Sequence, residues 1–430
     1  MRILWVKAGK LLPVDTGGKI RSYNLLRQLS ARHSLTLLSY YGGARDEAYE
    51  RELEEHLPGA ESINTSAPET TLGQASHYLS RLFKSAPYAV TKFTSPSVAR
   101  RIKGWMDERR FDVMVCDFLS ASLNFPRALR TPSVLFQHNV ESALWQRQAQ
   151  HEPNLIKRAA FKIEALKMAA YERAAVKRFQ HIIAVSEHDR ALMSEMTDAS
   201  RISVVPTGVD LSLYRAGANS TMSELAATNE AASAPLKERA PLVVFLGSMD
   251  WEANVDGVDY FCRDIWPAVL RSVPDARFRI VGRNPHARVR RLASASVEVT
   301  GTVPSVVDHL REAAVFVVPL RVGGGTRLKI FEAMATGKAV VSTTIGAEGL
   351  EVEHGRDILL ADDAETFSDS IIMLLRDEAL RRGFETAAAR LAAQHDWSVV
   401  IKRFEEALER ATQHEDVAQG VNSPLASVKA

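Results

Sequence analysis

The sequence predicts an α/β protein built from two domains with parallel sheets. Strand-like apolar runs alternate with helical segments along most of the 430 residues, and this alternation is typical of parallel sheets with helices on both faces. Several runs end at glycine, and ligands of open α/β sheets bind just beyond the carboxyl ends of strands. The alternation stops at residues 216–238, which are rich in Ala, Ser, Thr and Asn, and then restarts. We therefore predict two similar α/β domains joined by a linker, with a ligand in the cleft between them.

The first domain is predicted over residues 1–215. Its first strand is Ile3–Val6, and Gly17 and Gly18 begin a helix whose apolar side chains recur at helical spacing. Further strands are predicted at residues 35–40, 113–116, 133–136, 182–185 and 204–206.

The second domain is predicted over residues 239–395, after the linker at 216–238. A long helix is expected from Val255 to Val273. A C-terminal helix is predicted over residues 396–413, and residues 414–430 lack periodicity, which predicts a disordered tail. Strands are predicted at residues 242–246, 277–281, 297–299, 314–320 and 339–342.

Composition excludes some classes of protein. A hydrophobic content of 46% and a charged content of 25% are ordinary for a globular protein, and the net charge of +2 gives no general case for nucleic-acid binding. The two cysteines, Cys116 and Cys262, have no metal-ligand spacing, which favours reduced thiols in a cytoplasmic protein. No apolar run reaches the length of a membrane span, and Lys7 interrupts the first apolar run too early for a signal peptide.

The segment with the strongest chemical signal is residues 323–334, GGGTRLKIFEAM. It follows a predicted strand, and Thr326 is placed to cap a helix that ends near Gly337. The backbone N–H groups of Gly324 and Gly325 can approach a phosphate group, whose charge the helix N-terminus favours. The segment therefore predicts an anion site.

Three side chains extend this anion site into a nucleotide site. Arg327 and Lys329 add cations, and Glu332 lies six residues after Thr326, about 9 Å along the helix axis. That distance suits a diphosphate and the ribose of one nucleotide, whose hydroxyl groups a carboxylate can bind. Alternatively, the glycines form an ordinary connection and Glu332 pairs with Lys329 one turn earlier.

Several stretches of the chain resemble the group 1 family of glycosyltransferases, and they occur in the same order as in that family. The resemblance spans about residues 1–410 and implies the GT-B fold, in which two Rossmann-like domains face a cleft. It also implies transfer of a sugar, with retention, from a nucleotide-diphosphate sugar. The stretches are residues 182–187, 204–210, 245–249, 278–282 and 329–335.

The resemblance assigns roles to individual residues. Glu332 matches the glutamate that binds the donor ribose, and Gly17 and Gly18 match the glycine loop that faces the donor phosphates. His138 matches a histidine that contacts the transferred sugar, with hydrogen bonding to its own neighbours as the alternative. The nucleotide base is expected near Val303.

The sequence departs from the family pattern in two places. Gly324 stands eight residues before Glu332, where the family has a first glutamate that contacts the sugar. The usual Arg and Lys after the first strand of the second domain are also missing, and that segment reads GSMDWEAN from Gly247 to Asn254. Arg283, with Arg327 and Lys329, is the candidate to replace their charge on the diphosphate, although Arg283 also suits an ordinary loop.

The expected reaction needs no cofactor and no metal. Many glycosyltransferases hold a divalent metal with an Asp-x-Asp motif, which this sequence lacks. Its nearest acidic pair, Asp362 and Asp363, is expected in a solvated loop. Cations and a helix N-terminus can stabilise the leaving diphosphate instead.

The acceptor is expected to be a glycan or a lipid-linked molecule. Residues 79–103 and 155–179 are locally basic, and such faces suit either an anionic membrane surface or solvent. The leading function is therefore a hexosyl- or glycosyltransferase of polysaccharide or glycolipid biosynthesis, cytoplasmic or peripheral at the inner face of the membrane. A non-catalytic GT-B subunit, a sugar-nucleotide epimerase and, less favoured, a glycan phosphorylase remain as alternatives.

Overall fold

The computed structural model describes residues 1–65, 85–152, 154–214, 241–322 and 328–420, and these form two compact units. The first unit holds Met1–Pro206 and the residues from Val400 onward, and the second holds Thr207–Val399. The first unit therefore ends earlier than the predicted boundary at residue 215. The predicted linker at residues 216–238 lies outside the described residues.

The first unit contains a seven-stranded parallel sheet in the order β3-β2-β1-β4-β5-β6-β7. Its strands are β1 Arg2–Ala8, β2 Ser34–Tyr41, β3 Glu61–Asn64, β4 Val113–Asp117, β5 Ser133–Phe136, β6 His181–Ala184 and β7 Ile202–Val204. Its α-helices are Gly17–Ser30, Glu47–His56, Tyr88–Thr91, Pro96–Asp107, Glu141–His151, Leu155–Arg178 and Glu187–Ser194, with 3₁₀ turns at Leu119–Asn124 and Ala199–Arg201.

The second unit contains a six-stranded parallel sheet in the order β10-β9-β8-β11-β12-β13. Its strands are β8 Leu242–Leu246, β9 Arg277–Val281, β10 Val297–Gly301, β11 Val315–Val318, β12 Ala339–Ser342 and β13 Leu359–Leu360. Its α-helices are Glu252–Tyr260, Trp266–Ser272, Ala287–Arg290, Val306–Glu312, Leu328–Ala335, Ala364–Arg376 and Glu378–Gln394, and the last helix, Trp397–Gly420, begins in this unit.

The fold class predicted from the alternation of strands and helices is confirmed, since each unit is a parallel sheet with helices. The short strands β3 and β13, each at an edge of its sheet, were not predicted. Strand β3 has a single apolar residue, and β13 is only two residues long. The helix expected from Val255 to Val273 is instead two helices separated by a π-helical turn at Phe261–Ile265. Pro267 explains the interruption, because it has no N–H group to continue the helical hydrogen bonds.

The last helix is longer than the sequence predicts. It continues through residue 413 to Gly420, so the start of the predicted disordered tail is helical, while residues 421–430 lie outside the described residues. The part of this helix in the first unit packs against the sheet through Phe404. The Phe404 ring stacks on Trp5 of β1 with a centroid distance of 5.4 Å and meets Phe136 of β5 edge-on.

The helix Leu155–Arg178 is attached to the first unit partly through an interior carboxylate. Glu172 is fully buried and accepts hydrogen bonds from the backbone N–H groups of Glu141 (2.8 Å) and Ser142 (3.0 Å). It also accepts from the Gln137 amide and the Ser142 hydroxyl. Glu172 therefore satisfies the first free N–H groups of the helix Glu141–His151 and complements the positive end of that helix.

Glu141 makes the stability of the first unit depend on pH between weakly acidic and neutral values. Burial and the neighbouring Glu172 raise the pKa of the Glu141 carboxyl group to about 7, although Lys92 opposes the shift. The folded chain therefore holds this proton more tightly than the unfolded chain, and stability falls as pH rises from about 4.3 to about 7. We expect Glu141→Gln to raise the melting temperature relative to wild type at pH 8, by about 2–4 °C or more, and to change it little at pH 5.

Glu187→Gln is the matched control for this prediction. Glu187 is also the first residue of a helix, but it is exposed and pairs with Arg190 at 3.0 Å. Thermal unfolding followed from pH 5 to pH 8 should show a pH-dependent gain for Glu141→Gln alone. An equal effect of Glu141→Gln at both pH values would contradict the raised pKa.

Among the described residues, no helix combines the length and apolar content needed to cross a bilayer.

Candidate functional site

In each sheet the strand order reverses at one point, and the polar side chains described below lie at that point. In the first unit the chain runs from β1 outward to β3 and returns on the other side of β1 as β4. In the second unit it runs from β8 outward to β10 and returns on the other side of β8 as β11. Open α/β sheets bind ligands outside the carboxyl ends of strands at such switch points. A ligand is therefore expected at the carboxyl ends of β1, β4, β8 and β11.

In the second unit, an ammonium group lies at the carboxyl end of β8. Lys329, in the helix that follows β11, donates from Nζ to Oδ1 of Asn254 at 3.0 Å and lies 4.5 Å from the centroid of the Phe245 ring. Gly247 makes this approach possible, since a Cβ atom there would lie 2.8 Å from Lys329 Nζ and 2.7 Å from Asn254 Nδ2. The switch point of this sheet therefore carries a positioned positive charge.

Asn254 connects this lysine to the loop after β8. It is buried, and its Nδ2 donates to the backbone carbonyl of Ser248 at 2.8 Å while Oδ1 accepts from Lys329. The Ser248 hydroxyl accepts from Nε of Arg283 at 3.0 Å and donates to Asp250 at 2.6 Å. Arg283, the residue after Gly282, is thus linked to Lys329 through two intervening residues.

Close packing of two glycines brings the loops after β8 and β9 together. A Cβ atom on Gly282 would lie only 1.7 Å from the carbonyl oxygen of Gly247. The Gly247 N–H donates to the Val281 carbonyl at 3.0 Å, and the Met249 N–H donates to the Arg283 carbonyl at 2.9 Å. No side chain fits between these loops, so the two glycines set how closely the loops approach. The loop after β8 carries Ser248, whose carbonyl accepts from Asn254.

Glu332 lies on the same helix as Lys329 and has a partner that the sequence did not suggest. Its carboxylate accepts a hydrogen bond from the hydroxyl of Tyr214, a core residue of the second unit. Burial raises the pKa of the Glu332 carboxyl group, while the Tyr214 hydrogen bond and the charge of Lys329 oppose that shift. One oxygen of the Glu332 carboxylate can accept the hydrogen bond from Tyr214, and the other oxygen can then accept one from a ligand hydroxyl.

In the first unit, the switch point holds a buried ion pair. Lys7 of β1 and Asp117 of β4 are register partners, and Lys7 Nζ lies 3.0 Å from Asp117 Oδ2 with both side chains almost fully buried. The Trp5 indole donates to the same carboxylate at 3.0 Å, and the Ser22 hydroxyl donates to it at 2.7 Å. Burial alone would raise the pKa of Asp117, but Lys7 and His138 hold it well below its usual range.

His138 is fixed by this ion pair. Its Nε2 lies 2.7 Å from Asp117 Oδ1, and its Nδ1 lies 3.1 Å from NH1 of Arg21. Because a guanidinium group only donates, Nδ1 accepts and Nε2 carries the proton donated to Asp117. Burial lowers the pKa of His138 to about 3, against the opposing effect of Asp117, so the ring is neutral at pH 7. A ligand that used either ring nitrogen would have to replace one of these hydrogen bonds.

Gly18 makes room for an aromatic ring beside this histidine. Phe118 follows Asp117 with a φ of 67°, in the left-handed region, and its ring stacks on His138 with a centroid distance of 3.7 Å. A Cβ atom on Gly18 would lie 2.6 Å from Cζ of Phe118 and 3.7 Å from Nδ1 of His138. Gly18, the second residue of the helix Gly17–Ser30, is therefore needed for packing, whatever else it binds.

The structure brings the predicted residues together in two groups. In the second unit, Gly247 and Lys329 are in contact and Arg283 is connected to them, whereas Glu332 faces Tyr214 and Val303 packs on the core after β10. In the first unit, Gly18 lies beside His138, and Gly17 begins the helix. The predicted site residues Gly324, Gly325, Thr326 and Arg327 lie outside the described residues.

The acidic pair Asp362 and Asp363 is engaged with protein groups. Asp362 accepts from the Thr344 N–H and hydroxyl, each at 2.7 Å, and Asp363 caps the helix Ala364–Arg376 through the Thr366 N–H. Within the described residues, no three His, Cys, Asp or Glu side chains are grouped as metal ligands are.

Two family models match most of the chain. The model described as "Glycosyltransferase Family 4" matches residues 16–213, and the model described as "Glycosyl transferases group 1" matches residues 240–377. Together they span more than half of the sequence. The first covers strands β2 to β7 and the second covers strands β8 to β13. The protein belongs to the group 1 glycosyltransferases and has the GT-B fold.

Individual relatives agree with this membership. The phosphatidyl-myo-inositol mannosyltransferase of Mycobacterium leprae (strain TN) is 24% identical over 319 residues, which are 72% of this chain and 76% of the relative. A Campylobacter jejuni enzyme, N,N'-diacetylbacillosaminyl-diphospho-undecaprenol alpha-1,3-N-acetylgalactosaminyltransferase, is 26% identical over 183 residues, 41% of this chain and 46% of its own length.

Solved structures show the same fold. Anabaena HepE (Alr3699) in complex with UDP superposes with a TM-score of 0.63 at 16% identity, covering 95% of this chain and 100% of HepE. Sucrose-phosphate synthase from Thermosynechococcus elongatus gives a TM-score of 0.65 at 16% identity, covering 98% of this chain and 100% of the synthase.

Proposed function

We propose that the protein transfers a sugar from a nucleotide-diphosphate donor to a glycan or lipid-linked acceptor. One observation carries the proposal: the Lys329 ammonium group is held at the carboxyl end of β8, at the switch point of the second sheet. That is the place where open α/β sheets bind nucleotides. HepE, which shares the fold, is described in complex with UDP, so uridine diphosphate sugars are the first donors to test.

The proposed role of Lys329 is to stabilise the leaving diphosphate. Transfer from a nucleotide sugar develops negative charge on the diphosphate as the glycosidic bond breaks, and positioned cations stabilise that charge. Lys329 is oriented by Asn254 and Phe245, and Arg283 is anchored on the neighbouring loop. We propose that these cations, with Arg327, act in place of a metal ion and that no cofactor takes part.

Glu332 is the proposed ribose-binding residue. It lies one turn after Lys329 on the same helix, so a diphosphate near the lysine leaves the ribose within reach of the carboxylate. Tyr214 orients that carboxylate. Residues near Val303, at the end of β10, are proposed to contact the base.

We further propose that transfer proceeds with retention and that His138 contacts the transferred sugar. Its buried ring is too weakly basic to accept a proton at pH 7. A polar contact with the sugar would replace the hydrogen bond of one ring nitrogen to Asp117 or Arg21. The named activities of the two relatives, on phosphatidyl-myo-inositol and on a diphospho-undecaprenol, support a lipid-linked acceptor in glycolipid or polysaccharide assembly.

Calorimetric binding to the full-length protein tests the donor site. Uridine and guanosine diphosphates and their sugars would be titrated with no added metal and again with Mg²⁺. We expect one donor to bind without metal and Glu332→Ala to weaken that binding about tenfold, which is about 1.4 kcal/mol. The reason is the loss of a charged hydrogen bond to a ribose hydroxyl.

Glu365→Ala is the matched control, because Glu365 is an exposed glutamate in the first turn of another helix of the same unit. It should bind the donor as wild type does. Absence of binding across the panel would contradict the transferase proposal and favour a non-catalytic GT-B subunit, for which the glycine at position 324 already argues. Binding that requires Mg²⁺ would contradict only the metal-independent mechanism.

A further inference from the structure

We propose that the solvent-facing side of the helix Leu155–Arg178 binds the surface of an anionic lipid bilayer. This helix has apolar side chains on two opposite faces. One face packs on the first unit through buried residues such as Ala165, Met168 and Val176. On the other face, four large apolar side chains are exposed: Leu155 (69%), Ile156 (83%), Ile163 (49%) and Leu166 (73%).

The exposed apolar residues form a continuous strip. At about 100° per residue, Leu155, Ile156, Ile163 and Leu166 all fall within a sector about 100° wide. Ala159 and Ala170, which are also exposed, lie in the same sector. A strip of this width is what a helix buries in a core or in a lipid interface. Among the described residues of the first unit, none covers these side chains.

The charges on the helix are separated by face. Exposed cations lie within the strip or beside it: Lys162, Arg173 and Lys177. Both acidic residues of the helix, Glu164 and Glu172, are buried and occupied by interior hydrogen bonds, Glu164 with the Tyr88 N–H at 2.7 Å. The exposed side of the helix therefore combines aliphatic side chains with cations and has no acidic side chain.

This combination identifies the partner as an anionic lipid surface. Aliphatic side chains enter the boundary between headgroups and acyl chains, and the flanking lysine and arginine side chains bind lipid phosphates. A second copy of the helix is a poorer partner, because a two-fold contact would place the same cations against each other. The inference extends the proposed function by placing a lipid-linked acceptor beside the first unit, but vesicle binding can be measured without donor or acceptor.

Flotation of the full-length protein with vesicles tests this inference directly. Wild type should float with phosphatidylcholine vesicles that contain about one third phosphatidylglycerol and should remain behind with phosphatidylcholine alone. Because cations contribute, binding should weaken strongly between about 0.1 M and about 0.5 M NaCl. Equal flotation with both vesicle types, or no flotation with either, would overturn the proposal.

Two double variants separate the two contributions. Ile163→Gln with Leu166→Gln should weaken partitioning about tenfold, since both side chains leave the interface. Lys162→Gln with Arg173→Gln should weaken it about 25-fold, at about fivefold per cation. Met373→Gln is the control, because Met373 is an exposed apolar residue on a helix of the second unit; it should bind as wild type does.

Undiminished flotation of both double variants would overturn the assignment to this helix. Sedimentation of wild type as a dimer that Ile163→Gln with Leu166→Gln converts to a monomer, without vesicle binding, would show that a second copy covers the strip. Failure of the transferase proposal looks different, because it appears as absent donor binding in the calorimeter and leaves vesicle binding unchanged.

Discussion

Replacing Asp117 with alanine should destabilise the first unit by about 3–5 kcal/mol. The substitution leaves the Lys7 ammonium group buried. Its remaining neighbours among the described residues are the Ser22 hydroxyl at 3.3 Å and the Phe118 ring at 5.0 Å. The substitution also removes the acceptor of the Trp5 indole and of the proton on His138. An uncompensated buried charge costs far more than the ion pair itself contributes, which is why the expected loss is large.

Asp112→Ala provides the control for this prediction, because Asp112 precedes the same strand and pairs with Arg2 at 2.6 Å on the surface. Loss of that exposed pair should cost at most about 1 kcal/mol. Hydrogen exchange of peptides that cover β1 and β4, measured on the full-length chain, reports the first unit separately from the second. Equal exchange in Asp117→Ala and Asp112→Ala would contradict the expected cost, and the pair Lys7→Met with Asp117→Leu should recover part of the loss.

The parts of the fold that local sequence determines were predicted well. Strands β5, β8, β9 and β12 have the predicted bounds, because each is a short apolar run with a clear end. Gly337 ends its helix as predicted, with a φ of 68° and the backbone hydrogen bonds of a helix C-terminus. The errors occurred where the signal is weak or non-local, such as the edge strand β3 and the π-helical turn before Pro267.

The site was less predictable, because its contacts join residues far apart in the chain. Gly247, Lys329 and Glu332 were predicted as site residues from glycine positions and charge, which a single sequence displays, and the structure places Gly247 beside Lys329. Asp117 was missed, although an acidic residue that ends a buried strand is a usable signal, because its meaning depends on the register with Lys7. Tyr214 was missed because nothing near it in sequence indicates that its hydroxyl reaches Glu332.

The position of the cations proposed to replace the family's missing Arg and Lys also depends on residues far apart in the chain. The sequence offered Arg283, Arg327 and Lys329 as candidates for the charge on the diphosphate, and Arg327 lies outside the described residues. The space beside Gly247 and the amide of Asn254 hold the Lys329 ammonium group at the end of β8. A helix that follows β11 thereby supplies a charge that the loop after β8 lacks.

Lys329→Met should therefore weaken donor binding about 30- to 150-fold, or about 2–3 kcal/mol. Methionine keeps an unbranched side chain over the Phe245 ring, so packing is preserved while the charge is lost. The expected loss exceeds that for Glu332→Ala, because a partly buried ammonium group facing a diphosphate is worth more than hydrogen bonds to ribose hydroxyls. Calorimetric titration of the donor identified with wild type measures the change.

Asn254→Asp tests the role of the Lys329 charge without removing the lysine. A carboxylate in place of the Asn254 amide would pair with the Lys329 ammonium group and repel the diphosphate, so donor binding should weaken although the lysine remains. Lys402→Met, at an exposed lysine of the last helix, should leave binding unchanged. Wild-type affinity in both Lys329→Met and Asn254→Asp would place the diphosphate away from β8. Loss in Lys329→Met alone would mean that the lysine binds the donor without depending on Asn254 for its position.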